Sequence, residues 1–356
     1  MKIITYRLTL EEPLLVTALE GDPNSAVSYD YIPGSVLRGV LIGLTLRKDN
    51  LAELDATAKA VRRCFFSHET RFLNGYPVLA DKRSLPAPHT WMKKKYGTDD
   101  EKREITDNAL KDKEKSKCES DDKGKPKDES DDKGKPKDES DDTNKPKSMR
   151  GAFVAFNEDG RVLIADVQRT ISVHTLRDRK AGRSRGENGE GTIYQYNARA
   201  AEQVFEAAIL CENDADAAYL EGLLSENKTV IMGGARSAGY GRVPISAVKS
   251  TDSWQETGEA PSSGDKLVIT LLSDVILRNE HGQHVADLAA LCTALGITPE
   301  AVEKAYLGQG IVGGFNRKWG LPLPQMPTVS MGSVLVLEAG TALDRHLAER
   351  GIGERR

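Results

Sequence analysis

Ten residues, Gly233-Gly234-Ala235-Arg236-Ser237-Ala238-Gly239-Tyr240-Gly241-Arg242, concentrate groups that suit a phosphate chain. Four of them are glycines, and they follow an apolar run, Val230-Ile231-Met232. Glycine lets backbone amides come close to a phosphate and adopts positive φ without strain. Arg236 and Arg242 supply planar charged forks, and Tyr240 offers a face to a base. Gly234 and Ser237 complete the set. The stretch lacks the Gly-Lys-Ser/Thr end of a P-loop and is not Gly-x-Gly-x-x-Gly opening a helix. A tight turn is the plain alternative.

Three other segments add to this chemistry. In Ile32-Pro33-Gly34-Ser35-Val36-Leu37-Arg38-Gly39, Ser35 is placed as a helix N-cap. Arg38 then falls in the first turn, beside amides that attract an anion. Arg169 to His174 reads as a strand, with Gly191 to Tyr196 as its return. Between them lie Arg177, Arg179, Lys180, Arg183 and Arg185 against Asp178 alone up to Arg185. This predicts a long hairpin with a basic tip, whose binding weakens with salt. His174 stands at the strand end, where an imidazole could act as a general acid or base. Phe315 and Trp319 are aromatic faces for bases or, equally, core residues.

The net charge of −4 at first argues against a polyanion partner. Residues 98–148, however, hold 18 acidic and 14 basic side chains. Taking those away from totals of 54 and 50 leaves 36 of each elsewhere. Within that balance, residues 161–199 carry eight Arg or Lys against four Asp or Glu. The positive charge is local, as a binding face requires. The four cysteines include no Cys-x-x-Cys pair, so reduced thiols are expected. Cys64 with His68 and His89, and His281 with His284, each lack a convincing fourth ligand, so neither metal nor cofactor is expected. No signal-peptide pattern or long apolar run is present, which predicts a cytoplasmic protein without a membrane partner.

These groups need elements to hold them. Ile4, Tyr6, Leu8 and Leu10 alternate with polar residues, the mark of a half-buried strand. Residues 51–66 and Asp214 to Leu224 read as helices, and Gly151 to Phe156 and Val204 to Leu210 as strands. Residues 98–148 are almost free of apolar side chains and repeat Lys-Gly-Lys-Pro-Lys-Asp-Glu-Ser-Asp-Asp at 123–132 and 133–142. Such a tract is expected to be a disordered insertion. A linker follows at 251–265, then a second opening, Leu267 to Leu277, that echoes Tyr6 to Val16. The pattern predicts an α+β fold of two ferredoxin-like βαββαβ (RRM-like) modules, over 1–250 and 266–345, with a flexible tail at 346–356.

The ordered set of segments resembles the RAMP superfamily of CRISPR-associated RNA-binding proteins. Ile32 to Gly39 looks like that family's helix-one signature, and Gly233 to Arg242 like its glycine-rich loop. His174 to Arg183 with Gly189 to Tyr194 is similar to the hairpin of type III effector subunits. Val312-Gly313-Gly314-Phe315-Asn316-Arg317-Lys318-Trp319-Gly320-Leu321-Pro322 resembles the second module of the type III-D subunit that caps the 5′ end of the guide. The resemblance implies a non-catalytic subunit that binds the repeat-derived 5′ tag of a CRISPR RNA. It also implies contacts with the large polymerase-like subunit and backbone subunits, with target RNA met indirectly. Asn316, Arg317 and Lys318 join the expected RNA contacts on this ground. Two enzymatic alternatives stay open: a target-cleaving backbone subunit using Asp22, in a loop shared with Asp30, and a guide-processing endoribonuclease using His174.

Overall fold

The alternation at the start of the chain forms the strand Lys2–Thr9. It lies inside the main sheet of this computed structural model, which describes residues 1–18, 25–93, 105–110, 146–175, 193–253, 265–316 and 320–352. The strand pairs antiparallel with Val204–Cys211, setting Lys2 opposite Cys211 and Leu8 opposite Phe205. Its other edge pairs antiparallel with Arg242–Thr251. Thr70–Phe72 and Tyr76–Leu79 pair with the far side of Val204–Cys211. Along the chain these elements run strand, helix Gly34–Lys48, the two short strands, strand Val204–Cys211, helix Asp214–Glu226, strand Arg242–Thr251. Numbering the strand positions by sequence gives the spatial order 4-1-3-2.

Period-two geometry sends Ile4, Tyr6 and Leu8 to the face covered by the two helices. There they are buried with Leu37, Leu41, Phe205, Ile209, Leu220 and Leu223. Each such side chain contributes about 1.5–3 kcal/mol by leaving water. The opposite face is apolar at Ile3, Ala208 and Leu210 and polar further along, where Arg7 pairs with Glu206 directly across the sheet at 3.0 Å and also with Asp81. The helix Asp214–Glu226 starts as expected, with Asn213 accepting from the amides of Ala215 and Asp216 at 3.0 and 3.2 Å.

The first helix departs from expectation at its start. Pro33, not Ser35, is the capping residue, and Ser35 lies inside the first turn. The missing cap comes from Asn74, whose Oδ1 accepts from the Gly34 amide at 2.9 Å. Gly34 is held hard against the strand Thr70–Phe72. A Cβ there would fall inside the Phe72 carbonyl oxygen.

Residues 51–66 do not form one helix. Only Lys59–Val61 and a wider turn, Arg62–Phe66, are helical. Asp55 accepts from the Thr57 amide at 2.9 Å, a local bond that competes with helix formation. Two pieces of the tract expected to lack structure are paired: Ile105–Asp107 and Lys147–Ser148 flank Trp91–Lys93 in a small antiparallel sheet. Ile105 and Ala109 pack against apolar neighbours there. Its remainder, and 254–264 of the expected linker, lie outside the described residues.

The second opening forms the strand Leu267–Thr270. Val334–Leu337 lies between it and Val302–Tyr306 in an antiparallel sheet. The helix Leu288–Leu295 falls between the first two strands in sequence, and the helix Arg345–Arg350 follows the third. The same numbering gives the order 1-3-2. Among the described residues no fourth strand covers the free side of Leu267–Thr270, so a complete second βαββαβ set is not formed there. Of the expected tail, the part up to Arg350 is helical, and Leu347 and Ile352 pack on the core of Leu271, Leu291, Leu295, Leu335 and Leu337, while 353–356 lie outside the described residues.

The two halves are sewn by buried polar contacts. Tyr76 donates its hydroxyl to the Leu272 carbonyl, and Tyr306 to that of Asn108 at 3.1 Å. The His89 amide donates to Gly332 at 2.7 Å. The His89 ring is wedged so tightly that a Cβ on Gly308 would lie 2.5 Å from its Cε1. Burial, aided by Arg150, holds the His89 pKa below its ordinary value of 6.5.

Two outcomes follow. Gly34→Ala forces the helix start off the Phe72 carbonyl and lowers unfolding free energy by about 1–3 kcal/mol in urea. For His89, the unfolded chain binds the proton more readily than the folded one, so stability is full above pH 6.5. It falls as pH drops below that value. Denaturation midpoints from pH 7.5 to 5 should show this decline, and His89→Gln should flatten it.

Candidate functional site

A groove of about 3050 Å³ runs between the first helix, the glycine-rich loop and the second half of the molecule. The start of the helix Gly34–Lys48 forms one wall, with Pro33, Gly34, Ser35, Arg38 and Gly39. Gly233, Gly234 and Arg236 of the loop also line it. Val312, Gly313 and Gly314, from the second glycine-containing block, line it as well. Segments separated by about two hundred residues in the sequence are thus brought to one cavity.

Ser35 and Arg38 are exposed, and the first turn holds no acidic residue. The positive end of a 15-residue helix therefore meets the groove unopposed by its own side chains. Among the described residues Arg38 has no ion-pair or hydrogen-bond partner. The same holds for the side chain of Arg278, which sequence reasoning did not single out. Other groove arginines have structural work. Arg83 donates to the carbonyls of Glu206 and Asn74 at 3.1 and 2.7 Å and lies over the Tyr76 ring at 4.6 Å. Arg71 donates to the Arg350 carbonyl, and Arg350 meets Glu212 at 3.4 Å. Asp274, also in the groove, accepts from the Met331 amide at 2.8 Å, and burial raises its pKa above the usual carboxylate value.

The glycine-rich loop connects the paired strands Thr229–Ile231 and Arg242–Thr251. Its glycines serve backbone packing first. Gly233, at φ +79°, passes so close to Leu15 that a Cβ would lie 2.6 Å from its carbonyl oxygen. The Gly234 amide donates to Leu15 at 2.7 Å and the Gly241 amide to Pro13 at 3.0 Å. The expectation that Gly234 offers its amide to a phosphate is corrected on this point: that donor is spent on the protein. The loop instead presents Arg236 and Ser237, both exposed, on the short 3-10 turn Arg236–Ala238. The Arg236 Nε–H donates to the Gly233 carbonyl at 3.2 Å.

Two further expectations for the loop change. Tyr240 is buried against Leu15 and Ala198, so its ring is a packing element, not an open stacking face. Arg242 pairs with Glu11 at 2.6 Å and does not line the groove. Asp30 accepts from Arg169 at 2.8 Å and from Arg199 at 2.5 Å. Burial lowers the Arg199 pKa, and the guanidinium also donates to the Ser28 carbonyl. Asp30 is a structural counter-ion, and Asp22 lies outside the described residues. His174 stacks on Tyr194 with ring centroids 5.2 Å apart.

The basic tip with Arg177, Arg179, Lys180, Arg183 and Arg185 lies outside the described residues, as do Arg317, Lys318 and Trp319. The backbone of Phe315–Asn316 pairs with Leu321–Pro322. Among the described residues no group of three His, Cys, Asp or Glu is placed to hold a metal. Cys64 and Cys211 are buried, which pushes each thiol pKa up to about 12.

No family model matches the chain, and neither does any curated protein. Solved structures are similar in backbone course. A chain of the Type III-B Cmr-beta bound to cognate target RNA and AMPPnP, determined by cryo-EM, aligns over 94% of this chain and 86% of its own, at 12% identity and a TM-score of 0.48. A chain of the Type IV-B CRISPR complex aligns over 73% and 94%, at 11% identity and a TM-score of 0.34. Oligomeric Cmr4 from Pyrococcus furiosus aligns over 71% and 100%, at 14% identity and a TM-score of 0.30.

The division between packing and presenting residues has a stability signature. Tyr240→Ala opens a cavity and costs about 3–5 kcal/mol. Ser237→Ala, on the exposed turn, stays within about 0.5 kcal/mol. Chemical denaturation of the two variants measures the contrast.

Proposed function

We propose that this chain is a non-catalytic RNA-binding subunit of a type III CRISPR effector complex, of the III-D kind. In this reading it holds the repeat-derived 5′ tag of the guide RNA and bridges the large polymerase-like subunit and the backbone subunits. One observation carries the reading: Ser35 and Arg38, Arg236, and the Val312–Gly314 segment line a single groove. The first of these comes from a helix start, the second from a glycine-rich loop and the third from the second half of the chain. A groove with a helix N-terminus and an unpaired arginine on its wall suits a polyanion whose backbone is held and whose bases are splayed.

The strand orders support reading both halves as ferredoxin-like, the second one with three sheet strands among the described residues. Among the described residues no helix is long and apolar enough to cross a membrane. We place the protein in the cytoplasm, where the guide RNA is made.

The test is to purify the chain with its co-expressed neighbours and sequence the RNA that accompanies it. Guides sharing one constant 5′ tag are expected, and random fragments or no RNA would overturn the reading. In titrations with such a guide, Arg38→Ala should reduce the slope of log affinity against log salt by about 1, the loss of one phosphate contact. Arg242→Ala, whose charge is already met by Glu11, should leave that slope unchanged.

A further inference from the structure

The hairpin formed by Arg169–Thr175 and Ile193–Arg199 has two unlike faces. Ile171, Val173 and Ile193 stand on the outer one, each more than half exposed. The other face carries a row of rings. His174 and Tyr194 are directly opposed in register and stack at an interplanar angle of 17°. Tyr196 lies 4.7 Å from His174 and 5.3 Å from Tyr194, centroid to centroid. Its far side meets Tyr240 edge-on at 5.8 Å.

The row is anchored at the groove. Tyr240 packs on Leu15, and Leu15 lines the groove beside Gly233 and Gly234. From there the rings lead outward along the hairpin, and His174, Tyr194 and Tyr196 are only half-buried. His174 Nε2 is shielded from solvent with no hydrogen-bond partner among the described residues. An unmet buried polar group costs stability, so this atom is open to a partner that a ligand could supply. An aromatic row beside a groove that presents arginines is an arrangement suited to single-stranded nucleic acid, since every base has a stacking face.

We infer that His174, Tyr194 and Tyr196 form a base-stacking platform for single-stranded RNA as it leaves the groove beside Leu15, with Tyr240 as its buried foundation. The inference rests on the RNA-binding reading above. The platform adds affinity without sequence preference, because stacking reads no base edges. Its contribution is independent of salt, since no phosphate is neutralised by a tyrosine.

The full chain is titrated with a single-stranded RNA carrying 2-aminopurine at successive positions. Binding should change the probe's fluorescence at the positions that stack. Tyr194→Leu should weaken binding about fivefold or more with the salt slope unchanged, and Tyr194→Phe should restore it. Unaltered affinity in a folded Tyr194→Leu variant overturns the inference but leaves the RNA-binding reading standing. Equal losses in the Leu and Phe variants also overturn it, because they point to a hydroxyl contact in place of stacking. If Tyr194→Leu does not fold, the wild-type signal decides, and no fluorescence change at any position overturns it. A wild-type chain that binds no RNA overturns both.

Discussion

The approach of Gly34 to the Phe72 carbonyl is the contact on which the groove depends. Only a residue without a side chain lets the helix start that close to the strand Thr70–Phe72. Asn74, two residues beyond Phe72, then reaches the Gly34 amide and closes the cap. This locks the helix end in place, and with it the position of Ser35 and Arg38 on the groove wall. The glycine-rich loop is placed by the same means. Gly233 lets it pass over Leu15 and Gly241 lets it close against the Met232 carbonyl, and backbone bonds to Leu15 and Pro13 at 2.7 and 3.0 Å pin it. Both walls are therefore set by backbone-to-backbone proximity, which leaves side chains free for a ligand.

Charge in this region separates into two groups. Arg71, Arg83, Arg199 and Arg242 answer carbonyls or carboxylates of the protein itself. Removing Arg71, Arg83 or Arg199 leaves a shielded partner unmet, so their loss reads as destabilisation, whereas the exposed Arg242–Glu11 pair contributes little. Arg38 and Arg278 have no such partner among the described residues. A guanidinium kept unpaired at the end of a helix dipole is an electrostatic site waiting for an anion. The seam below the groove is of another kind. His89 and Tyr76 join the halves through specific bonds, and desolvation of His89 and of the half-buried Asp274 makes this region responsive to pH.

Much of the fold was legible in the sequence because local pattern dictates it. The alternation in Lys2–Thr9, the helix from Asp214 and the hairpin strands all follow from period and turn chemistry. Arg38, Arg236 and the block that opens with Val312 stand out in the sequence by residue type, but nothing in it says that they line one groove. What could not be read were consequences of distant packing. Asn74 caps a residue forty positions earlier, and nothing in the Asn74-Gly75 pair distinguishes that role from an ordinary turn. Tyr240 looked like a stacking face because its partners, Leu15 and Ala198, lie far along the chain. The helix Arg345–Arg350 was missed because its apolar residues gain a surface only once the second sheet exists. The platform of His174, Tyr194 and Tyr196 did leave a signal. Tyr194-x-Tyr196 alternates on a strand, and the hairpin register puts His174 opposite.

The central claim is that the groove holds RNA. Photocrosslinking a guide RNA that carries 4-thiouridine along its constant 5′ segment tests it most directly, with attachment sites read by mass spectrometry. The account predicts crosslinked peptides from 33–40, from 233–239 and from the second half of the chain around 267–279. Crosslinks confined to the polar sheet face around Arg7, Asp81 and Glu206, with none in those three segments, would contradict it.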